Sequence, residues 1–179
     1  PLDAVKKGMA YITESRRDNG FFPNFSIAQN MAISRSLKDG GYKGAMGLFH
    51  EVDEQRTAEN QRELLALKCH SVNQNITELS GGNQQKVLIS KWLCCCPEVI
   101  IFDEPTRGID VGAKAEIYKV MRQLADDGKV ILMVSSELPE IITVCDRIAV
   151  FCEGRLTQIL TNRDDMSEEE IMAWALPHE

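Results

Sequence analysis

The chain has 179 residues, of which 44% are hydrophobic and 26% charged, values that are ordinary for one globular domain with a sizeable core. Its net charge of −7 argues against a surface that binds nucleic acid or an anionic membrane. No apolar run approaches the length of a membrane span, and the start lacks a signal-peptide pattern, so membrane contact is expected to go through a partner protein. Position 1 is Pro, and we therefore expect the chain to begin inside a longer one.

The first half of the chain predicts one strand and then mainly helices. A short strand is predicted over Met9–Thr13, and a polar loop over 14–20. Ser26 is predicted to cap a helix, and another helix is predicted over Val52–Lys68. A flexible stretch between them is indicated by its glycines, Gly40, Gly41, Gly44 and Gly47. With the helix that follows, these elements predict an all-helical insert from about Pro23 to Cys96.

A Ser-Gly-Gly turn opens the next predicted helix. Ser80 is a natural N-cap, and Gly81 and Gly82 allow the backbone to come close to a ligand. A helix N-terminus with free N–H groups and a nearby hydroxyl favours an anion such as a terminal phosphate. Taken alone, the same residues also describe an ordinary capped helix with a flexible lead-in.

Two adjacent carboxylates follow a short apolar strand, Val99–Phe102. Asp103 and Glu104 fall at the strand end, the edge where open α/β sheets bind ligands. Asp103 can hold Mg²⁺ while Glu104 orients and deprotonates an attacking water. The alternative is a strand with a solvated Asp-Glu turn. The extension over 105–110 and the nearby Ser-Gly-Gly turn favour nucleotide hydrolysis.

The remainder alternates between helices and strands. A helix over Ala113–Ala125, a strand over Lys129–Ser135 and a helix over Leu138–Val144 are predicted. A hairpin of Arg147–Cys152 and Arg155–Leu160 follows, and Ser167 with Glu170 forms a capping box for a last helix. The alternation predicts an α/β sheet with an antiparallel edge.

The six cysteines do not form a metal motif. Cys94, Cys95 and Cys96 are consecutive, so on a helix they point in different directions and cannot bind one ion together. Reduced cysteines used as small apolar side chains are the favoured interpretation.

Two segments carry a family resemblance: LSGGNQQKV at 79–87 resembles the signature motif of ATP-binding-cassette (ABC) ATPases, and VIIFDEP at 99–105 resembles their Walker B strand. More narrowly, SGGNQQKVLISKWL and DEPTRGIDVGAKAEIY resemble the carboxy-terminal cassette of duplicated ATPase subunits from importers of ribose, galactose, xylose or allose. The resemblance implies a P-loop NTPase core of the α/β class with a helical subdomain. It divides the chain into core residues 1–22, a helical subdomain 23–96, core residues 97–160 and a terminal helix 161–179.

The resemblance also implies roles for single residues. Besides Ser80, Gly81 and Gly82, it places Gln84 at a nucleotide bound by a partner cassette. Asp110 matches an aspartate at the seam between cassettes, although it also suits a helix N-terminus. Two positions depart from the family pattern: Glu14 stands where a glutamine is usual, and Ser136 where a γ-phosphate-contacting histidine is usual. Ser136 takes the catalytic position beside Glu104, and hydrolysis at that site is therefore in question.

The chain contains no loop of the form G-x-x-x-x-G-K-[ST]. In the family this loop holds the β- and γ-phosphates and lies upstream of residue 1, so the chain alone is expected to bind ATP weakly or not at all. The implied cofactors are ATP and Mg²⁺. The implied partners are a second cassette, a membrane permease and, through it, a periplasmic sugar-binding protein, with the chain at the cytoplasmic face of a bacterial inner membrane.

Two other functions remain open. A regulatory half that binds ATP and rarely cleaves it would explain Glu14 and Ser136. A DNA-repair ATPase head also uses an LSGG-type signature, but the net negative charge and the absence of coiled-coil heptads count against it.

Overall fold

The computed structural model describes residues 2–39 and 51–177, and the predicted glycine stretch at 40–47 lies outside them. The chain divides into two compact units, Pro1–Val134 and Ser135–Glu179. Among the described residues, no helix has the length and apolar character needed to cross a bilayer.

A three-stranded parallel sheet lies in the first unit. Its strands are β1 (Met9–Ile12), β2 (Val99–Asp103) and β3 (Val130–Val134), in the order β1-β2-β3. Ile12 pairs with Phe102, and Asp103 pairs with Val134. The predicted α/β class is confirmed, and the parallel register brings the carboxyl ends of the strands to one edge.

The two faces of this sheet differ in burial. Ala10, Ile12, Ile100 and Phe102 on one face are at most 2% exposed. On the other face the outer strands carry exposed apolar side chains, 38–55% accessible, while Val99 and Ile101 of the central strand are partly buried. The exposed ones are Met9, Tyr11, Val130, Leu132 and Val134. Parallel sheets are normally covered on both faces, whereas in the described part of the chain this sheet is buried on one face and partly exposed on the other.

The α-helices in the described part of the first unit are α1 (Leu2–Lys6), α2 (Ile27–Asp39), α3 (Glu51–Leu64), α4 (Gly81–Leu93) and α5 (Val111–Asp126). The predicted helix over Val52–Lys68 is too long at its end, because Ala66 has a left-handed φ of 46° and the Lys68 N–H donates to the Asn83 side chain instead. Ser26 caps α2 as predicted, with its Oγ accepting from the Gln29 N–H.

The main apolar cluster of the described residues joins α2, α3 and α4. It includes Ile27, Met31, Ala58, Val87 and Leu88, each at most 1% exposed. Burying apolar surface is favourable by about 25 cal/mol per Å², so the burial of these side chains holds α4 against α2 and α3.

The segment predicted as a polar loop contains a π-helical turn, Arg16–Gly20. The Phe21 N–H closes this turn by donating to the Arg16 carbonyl. The pattern of residues in the sequence does not predict such turns, since π-helical geometry is rare and depends on contacts from elsewhere in the fold.

The second unit consists of α6 (Leu138–Val144), β4 (Arg147–Cys152), β5 (Arg155–Thr161) and α7 (Glu168–Ala175). β4 and β5 pair antiparallel in a separate two-stranded sheet, so the predicted antiparallel edge on the parallel sheet is wrong. Their turn has φ of 48° at Glu153 and 77° at Gly154, the left-handed pair that suits a two-residue hairpin. The Ser167 hydroxyl caps α7 by accepting from the Glu170 N–H.

Candidate functional site

The start of α4 presents an exposed serine. Ser80 has the extended backbone of an N-cap, but its side chain makes no capping hydrogen bond. The prediction of Ser80 as the N-cap residue is confirmed, and its Oγ accepts a hydrogen bond from the Asn83 Nδ2 at 2.9 Å rather than from a backbone N–H. The Ser80 hydroxyl thus lies at the surface and does not bond to the backbone N–H groups of the first turn of α4.

The two glycines at this helix start have different surroundings. A Cβ on Gly82 would lie 2.6 Å from the Ala113 Cβ, so its missing side chain is required by the packing of α4 against α5. A Cβ on Gly81 would meet the Gly108 carbonyl oxygen at 3.5 Å, an ordinary contact. The structure therefore gives Gly82 a packing role that the motif alone did not indicate.

Gln84 is buried and bonded to the backbone that precedes α4. Its Nε2 donates to the Leu79 carbonyl at 3.1 Å and to the Ile76 carbonyl at 3.4 Å. These bonds secure the segment that carries Ser80 to its own helix.

Asp103 and Glu104 end β2 as predicted from the sequence. The Asp103 Oδ2 accepts a hydrogen bond from the Tyr11 hydroxyl at 2.5 Å, and this bond raises the pKa of Tyr11. Glu104 has a φ of 48°, while its N–H donates to the Val134 carbonyl at 2.9 Å. A left-handed backbone is uncommon outside glycine and clusters at functional sites. Tyr11 was not singled out from the sequence.

Two arginines join the segments around these carboxylates. Glu14 forms an ion pair with Arg107. The Arg16 guanidinium donates to the Arg107 carbonyl at 2.8 Å and to the Gly108 carbonyl at 3.4 Å. Sequence reasoning missed both arginines, and the only local signal was the Arg16-Arg17 pair close to Glu14.

A cavity of about 690 Å³ brings the predicted segments together. Glu14 lines it from the segment before the turn and Arg16 from the turn itself. Gly81 and Gln84 line it from α4, and Gly108 from the loop after β2. The structure thus groups the segment at Glu14 with the signature helix, over 60 residues away in sequence.

Asp110 caps α5, its side chain accepting from the Ala113 N–H at 3.0 Å. This is the helix N-terminal role proposed as one of its two interpretations. Ser136 belongs to the second unit and is exposed. Its neighbour Ser135 donates from Oγ to the Glu140 carboxylate at 2.9 Å.

The cysteines are free thiols: Cys69, Cys94, Cys95, Cys96, Cys145 and Cys152. Cys94 and Cys95 are buried, and burial raises the pKa of Cys94 to about 12, which keeps it an inert apolar side chain. Across residues 2–39 and 51–177, no group of three or more His, Cys, Asp or Glu side chains is arranged to hold a metal.

Sequence comparisons find close relatives among import proteins. The chain is 99% identical over all its 179 residues to the D-allose import ATP-binding protein AlsA of Escherichia coli (strain K12), of which it covers 35%. It is 46% identical over 177 residues to a ribose import ATP-binding protein, RbsA, of Bacillus cereus, covering 98% of this chain and 34% of that protein. The chain therefore spans about a third of the length of the curated relatives it matches.

Structure comparison agrees on the fold. The dimeric post-hydrolysis state of the ATP-binding cassette MJ0796, bound to ADP and Pi, superposes with a TM-score of 0.72 at 22% identity. The match covers 90% of this chain and 67% of that one, and it supports a cassette fold. Because the family model described as ABC transporter matches residues 2–107, more than half of the sequence, the chain belongs to the ABC transporter family.

Proposed function

We propose that the chain is part of the ATP-binding and ATP-hydrolysing subunit of an ABC transporter that imports a monosaccharide. The observation that carries the proposal is the exposed Ser80 at the start of α4. Its side chain does not bond to the N–H groups of the first turn. The relatives named for D-allose and ribose import supply the substrate class, and D-allose is the specific sugar we favour.

The start of α4 has the chemistry of a phosphate site. A 13-residue helix concentrates a partial positive charge at its first turn, where an anion is stabilised. Ser80 adds a hydroxyl that can donate to a phosphate oxygen once its hydrogen bond from the Asn83 amide breaks and the side chain rotates. Gly81 keeps the approach open, and Gln84 holds the segment rigid. We assign this phosphate to a nucleotide carried by a second cassette.

The end of β2 has the chemistry of a hydrolytic site. Asp103 is half-buried and offers a carboxylate oxygen beyond the one that accepts from Tyr11. Carboxylate oxygens suit Mg²⁺, which binds through one or two of them together with substrate phosphates, so the residues present fit that ion without a larger ligand cluster. The ion supplies charge neutralisation to the phosphates. Glu104 then orients a water and accepts its proton.

The remaining contacts belong to other segments and partners. The sequence lacks a phosphate-cradling loop, so we expect ATP to be held mainly by residues outside this chain. A second cassette, a membrane permease and a periplasmic sugar-binding protein complete the proposed importer. We place the chain peripherally at the cytoplasmic face of a bacterial inner membrane.

A single substitution tests the phosphate contact in a subunit of the relatives' length that carries this sequence. Ser80→Arg, which fills the helix start with a bulky charged side chain, should reduce ATPase activity and sugar uptake by about 100-fold, the cost of a displaced catalytic contact. The control is Asn73→Arg, at an exposed polar residue of the same unit. ATPase activity and uptake in Ser80→Arg equal to those of the control would refute contact between Ser80 and the nucleotide.

A second candidate is a regulatory half that binds ATP without cleaving it. The Glu14–Arg107 ion pair favours it, because an ion-paired carboxylate is less free to bind a metal or a water. Glu104→Gln in the same full-length subunit separates the two functions. Loss of turnover supports hydrolysis at this site, and retained turnover supports the regulatory role.

A further inference from the structure

A buried lysine lies on the signature helix away from the proposed site. Lys91 is 8% exposed, and its Nζ donates a hydrogen bond to the Gly20 carbonyl oxygen. Its ammonium also lies 5.4 Å from the ring centroid of Trp92. Burial lowers the pKa of Lys91 to about 8. Burying an ammonium is unfavourable, and a methionine could fill the same space without that penalty, so packing alone does not account for a lysine here.

The partner of Lys91 ends the π-helical turn Arg16–Gly20. Gly20 presses against α4, since a Cβ on it would lie 2.6 Å from the Leu88 Cδ2. Leu88 and Lys91 are three residues apart and therefore share one face of α4. Lys91 and Leu88 thus hold the end of the turn from the same side, one by a hydrogen bond and one by contact.

The other end of the turn is attached to a different element. Arg16 donates to the carbonyls of Arg107 and Gly108, in the loop that follows Glu104. Glu14, two residues before the turn begins, forms an ion pair with Arg107. The turn therefore connects the signature helix at one end with the loop of the carboxylates at the other.

The rest of the lysine's surroundings allow movement. A cavity of about 340 Å³ adjoins it, with Tyr11 and Thr13 from β1 and the segment after it, Asn19 from the turn, and Trp92 from α4. The hydrogen bond from Lys91 links the Gly20 carbonyl to α4, and without it the turn could shift into this space.

We propose that Lys91 is a positioning residue that holds the turn Arg16–Gly20 on α4 and thereby sets the placement of Glu14 and Arg16 beside the loop that follows Glu104. The catalytic part of this inference rests on the proposed function. A movement of α4 relative to the sheet would reach that loop through the turn. Lys91 itself touches no nucleotide in this scheme.

The first test is structural and uses the 179-residue chain. Amide hydrogen exchange is followed at Asn19 and Phe21, whose N–H groups donate to the Ser15 and Arg16 carbonyls. In Lys91→Met we expect exchange at both amides to be about tenfold faster, because the turn opens more often. Lys91→Arg, which keeps a cationic donor, should exchange like the wild type. Lys119→Met, at an exposed lysine of α5, is the matched control. Unchanged exchange in Lys91→Met would overturn the proposal.

The second test is catalytic and uses the subunit of the relatives' length. Lys91→Met should lower kcat for ATP hydrolysis about tenfold and leave KM for ATP within about twofold, since a displaced turn misplaces groups around the reaction without removing a nucleotide contact. Lys91→Arg should restore kcat. Equal losses in the Met and Arg variants, or an unchanged kcat in Lys91→Met, would overturn the positioning role.

Two further outcomes are decisive. If Lys91→Met does not fold, Lys91→Gln, which keeps a polar tip that ends short of Gly20, is measured in both tests with the same criteria. If the wild-type subunit does not hydrolyse ATP, the proposed function fails and the catalytic part of this inference fails with it. The exchange experiment then still decides whether Lys91 holds the turn.

Discussion

The surroundings of α4 and those of the three-stranded sheet differ sharply. α4 is enclosed along most of its length, and even its polar side chains Gln84, Lys86 and Lys91 are at most 8% exposed and bonded to neighbouring segments. The sheet is packed on one face, whereas Val130, Leu132 and Val134 of β3 on the other face are 52–55% exposed. In the described part of the chain, then, the helices around α4 bury one another, whereas the sheet has one buried face and one partly exposed face.

This difference indicates which residues should contribute to the stability of the chain. The residues that hold α4 form a finished structure, so substitutions there should change the folding of the chain itself. Residues on the exposed sheet face have little to lose within the chain. The three predictions below test this contrast by measuring the free energy of unfolding of the 179-residue chain.

The largest effect is expected from the sheet core. Ile100→Ala removes a side chain that is 1% exposed and should lower the free energy of unfolding by about 3 kcal/mol. Leu132→Ala, on the adjacent strand but 52% exposed, should lower it by less than about 1 kcal/mol. Urea denaturation measures both. Similar losses in the two variants would mean that the exposed face is covered in solution, for example by a second copy of the chain.

A smaller effect is expected from the contact between α4 and α5. Gly82→Ala should destabilise the chain by about 2 kcal/mol, because the new methyl group would overlap with Ala113. Gly81→Ala, one residue earlier, has ordinary contacts and should stay within about 0.5 kcal/mol of the wild type. Thermal unfolding of both variants checks this. A stable Gly82→Ala variant would show that α4 and α5 are less tightly packed than described.

The smallest effect is expected from the ion pair beneath α4. The Lys86 Nζ lies 2.9 Å from the Glu116 carboxylate, and both the hydrogen bond and the charge of Lys86 hold the pKa of Glu116 below its ordinary 4.5. Glu116→Gln should cost about 1 kcal/mol at pH 7, a value kept small because Glu116 is 42% exposed.

The pH dependence of this ion pair has a defined sign. A carboxylate with a lowered pKa stabilises the fold above its unfolded pKa and loses that effect as the pH falls through its folded pKa. The difference between wild type and Glu116→Gln should therefore be constant above about pH 5 and shrink as the pH falls below 4.5. A difference that persists at pH 3 would assign the effect to side-chain packing. Glu59→Gln, at a partly exposed ion pair within α3, is the control.

Local sequence patterns predicted much of this arrangement. The apolar run before Asp103, the helix after Ser80 and the Glu153-Gly154 hairpin are all encoded by neighbouring residues, and each lies where it was expected. What escaped prediction depends on residues far apart in the chain. Tyr11 meets Asp103 across 92 positions, and Arg16 meets Arg107 across 91, so no local pattern announces either contact.

Other details depend on hydrogen bonds that a motif does not show. The Ser80 hydroxyl accepts from the side chain of Asn83, three residues away, instead of from a backbone N–H. The helix after residue 51 stops early because Lys68 finds a partner on α4. The roles assigned to Glu104, Asp103 and Ser136 stay predictions, and Glu104→Gln in the full-length subunit tests the first of them.

The backbone conformation of Glu104 is unfavourable for a residue with its side chain. With a φ of 48°, its backbone suits glycine or asparagine, and a glutamate there gives up about 1 kcal/mol. Replacement by glycine would relieve the backbone strain at this position and would also remove the carboxylate. A search for more stable variants of this chain would thus favour a change at the residue proposed as the base, and selection for thermal resistance alone would remove the carboxylate on which the proposed reaction depends.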